Sequence, residues 1–111
     1  MPKVADVAPL TRNQVAWLTV ETGDMNPLHL DSSYAASRLF PDVVVPGTLT
    51  AAVLERELSQ LLGRSLHAFE LRLNAASFPG QAFALHAAPK QDGLAYEMYR
   101  GDELLAEGSA A

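Results

Sequence analysis

The sequence predicts an α+β fold in which one long apolar helix covers an antiparallel sheet. Two observations carry this reading. From Thr48 to Leu62 the apolar residues Leu49, Val53, Leu54, Leu58, Leu61 and Leu62 recur at helical intervals. From Leu66 onward the period changes to two, as in half-buried strands. A helix of that length placed before such strands must lie on one face of their sheet.

The elements follow in chain order. Lys3–Leu10 is short, mixed and broken by Pro9, so it reads as a weak edge strand or an arm. Thr11 is a helix N-cap, with Val15, Leu18 and Thr19 on one side of the helix behind it. Trp17 is expected to pack. Gly23 stops this helix. Asp31 or Ser32 caps a short helix through Tyr34–Leu39, which Phe40-Pro41 closes. Val43-Val44-Val45 is a brief apolar link to Pro46-Gly47 and the long helix, which Gly63 ends. Phe69, Leu71 and Leu73 then alternate with Glu70, Arg72 and Asn74. Pro79-Gly80 turns the chain into Phe83, Leu85 and Ala87. Asp92-Gly93 signals a hairpin into Leu94, Tyr96 and Met98, and Gly101-Asp102 leads to Glu103–Ser109. Four strands in succession with short connections predict a meander.

Bulk properties bound the function. The chain has 111 residues, 49% of them apolar, which suits one domain spanning 1–111. A domain this small buries only about two-thirds of its unfolded surface, so a partner chain is a natural expectation. There is no Cys, which excludes disulfides and thiolate metal sites and fits a reducing compartment, with the cytoplasm as the expected location. Asp6 and Pro9 interrupt the N-terminus before any signal-like apolar run forms. No apolar run approaches membrane-spanning length. A net charge of −5 argues against nucleic acid as a partner.

The chemistry gathers in Thr22–Ala35, which reads TGDMNPLHLDSSYA. Gly23 lets the backbone turn. Pro27 fixes its own φ and pushes Asn26 out of helical geometry. The stretch therefore forms a rigid loop with a carboxylate, Asp24, and an imidazole, His29, at its two ends. General acid–base chemistry needs two such groups on an unyielding frame, close enough to share a water. Blander readings exist for each. Asp24 after Gly could cap a turn. His29 could be structural, or a metal ligand with Asp24 and Asp31, although Asp31 suits a helix cap. His67 and His86 fall in strand patterns as ordinary face residues, and Tyr34 can simply pack.

GDMNPLH followed by Tyr34-Ala35 resembles the hydratase motif of the MaoC-like family, the (R)-specific enoyl-CoA hydratases of hotdog fold. Gly23, Asp24, Asn26, Pro27, Leu28, His29 and Ala35 all stand at that family's spacing. Val44-Val45-Pro46-Gly47-Thr48-Leu49 resembles its entry into the central helix, and Phe69–Leu73 with Phe83–Ala87 resemble its sheet. The likeness is strong over Thr22–Leu49 and looser to the end of the chain.

The resemblance implies a hotdog fold and interconversion of 2-enoyl and (R)-3-hydroxyacyl thioesters, carried by CoA or acyl carrier protein, with no cofactor and no metal. It implies Asp24 as general base, His29 as water holder and proton relay, and the Gly47 N–H as oxyanion donor. Asn26, Thr48 and Glu55 are implied to meet the substrate or position the loop. It also implies a homodimer with the acyl tunnel between subunits, without nucleic acid or membrane partners. An anionic thioester would need local positive charge, for which Arg38, Arg56, Arg64, Arg72 and Lys90 are the supply. Two departures stand out. Pro46 replaces a His common in hydratases, which spares a backbone N–H at Gly47. Glu55 replaces a small Ser on the central helix, which bears on the acyl pocket; it is expected to meet Arg56, Arg72 or water. Two other classes stay open: another hotdog thioester enzyme, such as a thioesterase, or a non-catalytic hotdog subunit.

Overall fold

A computed structural model describes residues 1–111. In chain order they form β1 (Lys3–Val7), α1 (Arg12–Glu21), a 3-10 turn (Pro27–His29), α2 (Ser32–Ser37) and α3 (Gly47–Leu62). Four further strands follow: β2 (Phe69–Leu73), β3 (Phe83–Lys90), β4 (Gly93–Arg100) and β5 (Glu103–Ala110). The strands make one antiparallel sheet in the order β1-β3-β4-β5-β2.

Local chemistry places the helices. Thr11 and Gln14 form a reciprocal capping box at the start of α1. Asp31 accepts from the Ser33 and Tyr34 N–H groups at the start of α2. Gly63 closes α3 in the left-handed region, with φ 71°. The helix packs through Leu54 and Leu58, both fully buried, against Leu85, Tyr96, Met98, Leu105 and Ala106 of the sheet. Tyr96 is itself 1% exposed, and its hydroxyl donates to the Glu70 carbonyl at 2.8 Å, tying β4 to β2 across β5. Burial pushes that phenol's pKa well up. A second small cluster of Val15, Val43 and Val45 fixes the apolar link against α1.

Two expectations change. β2 does not begin a four-strand meander, because it pairs with β5 at the far edge and never touches β3. A short turn would force neighbours together, whereas residues 74–82 are long enough to cross from one edge of the sheet to β3. Trp17 does not pack and is 67% exposed. At about 100° per residue it lies opposite the midpoint of Val15 and Thr19, the two residues α1 buries. As expected of a helix covering a sheet, α3 is buried on one face, through Thr50, Leu54 and Leu58, while Thr48, Ala52, Glu55 and Arg56 are exposed. No helix is long and apolar enough to cross a membrane.

Candidate active site

The loop after α1 is held by its own polar groups. Gly23 takes φ 78°, a region glycine enters without strain. The Asp24 N–H donates back to the Thr19 carbonyl at 3.2 Å. One carboxylate oxygen of Asp24 accepts the Asn26 N–H at 3.0 Å. The Asn26 side-chain oxygen accepts the Leu28 N–H, also at 3.0 Å, capping the 3-10 turn that Pro27 begins. Asn26 is thus a frame residue, with its side-chain oxygen turned to the backbone.

His29 sits at the end of that turn. Its Nδ1–H donates to the Val44 carbonyl at 2.7 Å, and the Val44 N–H donates to the Leu28 carbonyl at 2.8 Å. A carbonyl can only accept, so Nδ1 carries a proton, and Nε2 is the ring nitrogen left without a backbone partner. Nε2 lies 3.5 Å from the second Asp24 oxygen, with the His29 side chain 14% and the Asp24 side chain 39% exposed. The result is a carboxylate and an imidazole side by side, each held by a backbone hydrogen bond. Asp31 turns to its helix cap, and no group of three His, Cys, Asp or Glu side chains is disposed to hold a metal ion.

Beside His29 is a cleft of about 340 Å³. Its walls come from Val44 and Val45, from Gly47 and Thr50 of α3, from Leu73 to Ser77, and from Met98 and Leu105. The Gly47 and Thr48 N–H groups have no acceptor in the chain, and no side chain caps α3. The first turn of a 16-residue helix thus has free donors, aided by the helix dipole, and of these residues Gly47 lines the cleft. A Cβ on Gly47 would come within 2.9 Å of Leu73 Cδ1, so glycine keeps the approach to this backbone open.

The structure brings Asp24, Asn26, His29 and Gly47 together and leaves Thr48 and Glu55 apart. Thr48 lines a separate groove with Leu18, Thr19, Pro46, Leu49 and Ala52. Glu55 is exposed, and the Arg56 beside it pairs instead with Glu57 at 3.4 Å. Arg72 lies on β2 opposite Glu107. Thr50 and Ser77 were not among the residues singled out by the sequence. Thr50 reads as one more helix position, and nothing local marks residues 74–77 as a cleft wall.

Residues 2–86 match the family described as MaoC like domain. This chain belongs to the MaoC-like dehydratase family. Among solved structures, the MaoC-like chain resembles the (R)-hydratase from A. caviae involved in PHA biosynthesis. The two share 23% identity and a TM-score of 0.77 over 99% of this chain and 94% of that one. The unliganded R-hydratase PhaJ1 from Pseudomonas aeruginosa gives 19% identity and a TM-score of 0.76 over 99% and 79%. A chain of the ChsH1-ChsH2 complex from Mycobacterium tuberculosis gives 14% and 0.78 over 99% and 91%. Comparison with curated proteins gives no match. At these identities the likeness is one of fold, and this MaoC-like chain has the hotdog fold: an antiparallel sheet wrapped around a central helix.

Proposed function

We propose that this chain hydrates 2-enoyl thioesters to (R)-3-hydroxyacyl thioesters, and catalyses the reverse dehydration. The observation that carries the reading is the Asp24–His29 pair, held 3.5 Å apart beside a cleft that Gly47, whose N–H has no acceptor, also lines. A water between Asp24 Oδ2 and His29 Nε2 loses a proton to Asp24 as its oxygen bonds to the β-carbon of the enoyl group. The π electrons move to the thioester oxygen, whose charge the Gly47 N–H stabilises. The proton then passes, with His29 as relay, to the α-carbon on the same face. Dehydration runs through the same groups in reverse.

The CoA or carrier-protein arm carries phosphate. Arg38 is the cation nearest the loop in sequence, and its guanidinium lies 5.3 Å from the Tyr34 ring centre, at the end of α2. β4 and most of β5 lie between β3 and β2 in the same sheet, which supports reading 1–111 as one domain although the family match ends at residue 86.

The test is the ultraviolet absorbance of crotonyl-CoA and of a crotonyl carrier-protein thioester. Hydration bleaches the conjugated band without releasing thiol. Release of free thiol instead would assign a thioesterase, and no change with either carrier would leave a non-catalytic subunit.

A further inference from the structure

We infer that the acyl pocket selects thioesters whose chain carries a hydrogen-bonding oxygen, read by the hydroxyls of Thr50 and Ser77. This deepens, and rests on, the hydratase reading. Both residues line the cleft beside His29 and Gly47, and each is only 7% exposed. Neither hydroxyl forms a hydrogen bond within the chain, yet neither is sealed from a visitor: Thr19 Oγ1 is the one side-chain oxygen wholly buried without a partner.

The local geometry explains why they are free. A helical Thr usually bonds back to the carbonyl four residues earlier. For Thr50 that carbonyl belongs to Pro46, and it already accepts the Leu49 and Thr50 N–H groups at 3.0 and 3.1 Å. Ser77 is fixed through its backbone, whose carbonyl accepts the Val45 N–H at 2.9 Å. The other candidate polar group on that wall is occupied, since the Asn74 amide donates to Glu107 at 2.9 Å.

Position matters as well. Thr50 follows Gly47 by three residues, about 4.5 Å along the helix axis. A thioester oxygen at the Gly47 N–H would therefore place Thr50 a few bonds along the acyl chain. An apolar chain laid there would bury two hydroxyls without partners, which disfavours it relative to a chain with an acceptor. The rival occupant is a water. Thr50 and Ser77 also border an adjoining void of about 20 Å³, otherwise walled by apolar groups such as Val7, Val53 and Phe83. One water there could satisfy both hydroxyls.

Binding of saturated thioesters separates these outcomes without relying on catalysis. Calorimetry on the intact protein would compare hexanoyl-CoA with 5-oxohexanoyl-CoA, and their N-acetylcysteamine counterparts. Tighter binding of the oxo chain, by roughly five- to tenfold, is expected for one or two neutral hydrogen bonds. Ser77→Ala, and Thr50→Val as a near-isosteric change, should each bring that ratio toward one. Equal binding of the two chains by the unmodified protein would overturn the inference, in favour of the trapped water, and leave the hydratase reading standing. Binding of neither would remove both. Because the first comparison uses the unmodified protein, a variant that fails to fold does not blunt the test.

Discussion

At the scale of single residues, the roles assigned to Asp24 and His29 rest on how little freedom each has. Backbone N–H and C=O groups hold Asp24 Oδ1 and His29 Nδ1, leaving one oxygen and one nitrogen for chemistry. Asp24→Asn and His29→Ala should each lower hydration by about a hundred- to ten-thousandfold, with unchanged circular dichroism. A folded variant of either kind with near-normal turnover would refute the assignment. Gly47→Val should act differently from a core mutation. The new side chain meets Leu73 Cδ1, the tip of a side chain that is itself 47% exposed and free to yield. Turnover should therefore fall on the order of a hundredfold, while the thermal midpoint moves by only a few degrees. A destabilised protein whose folded fraction turns over normally would show that the oxyanion sits elsewhere.

At the scale of elements, the structure shows which features the chain writes locally. Thr11 with Gln14, Asp31, Gly63 and the Asn26-Pro27 turn each act on backbone within a few residues, and each is readable from types and spacing. The pair Asp24 and His29 was readable for the same reason. The far-edge position of β2 was not, because strand pairing depends on where residues 74–82 run, and no local signal distinguishes a crossover from a loose hairpin. With that crossover went the cleft wall from Asn74 to Ser77. The outward turn of Trp17 was readable in part, since Val15 and Thr19 already define the other face of α1.

One contact between elements has a pH signature. Arg12, the first residue of α1, donates to Asp42 at 2.9 Å and pins the segment that leads into α3. The hydrogen bond from Arg12 holds the Asp42 carboxyl below its ordinary value of 3.8. The unfolded chain therefore binds the extra proton first, so this contribution is full above that value and is lost as pH falls through the lowered folded one. Asp42→Asn should flatten the corresponding part of a stability curve measured by denaturant between about pH 2 and 5, and leave the curve above it parallel. An unchanged acid limb would show that the contact carries no linkage.

At the scale of the whole molecule, much of the surface is left open to a partner. Only 18 of its 111 residues are buried, and one face of its central helix lies open. The two sheet edges are not equivalent. β1 is bulged between Lys3 and Ala5 and carries a Lys3–Asp6 pair, features that discourage strand addition. β2 is regular along its pairing with β5, and its last residue, Leu73, is half exposed beside the cleft. A second copy adding to β2 about a two-fold axis would use the same edge on both chains. It would bring the outward stripe of Thr48, Ala52 and Glu55 toward the partner's helix and set the cleft at the interface. On α1, Trp17 and Val20 are further apolar residues open to solvent, 67% and 50% exposed. Glu55 then needs a cation or water from the partner, because a carboxylate buried unpaired would take up a proton. We expect a homodimer by light scattering at micromolar concentration, with hydration activity following the dimer fraction on dilution. A stable monomer that hydrates crotonyl-CoA would exclude a shared site, and a dimer whose activity appears only when a different chain is added would assign this one a supporting role.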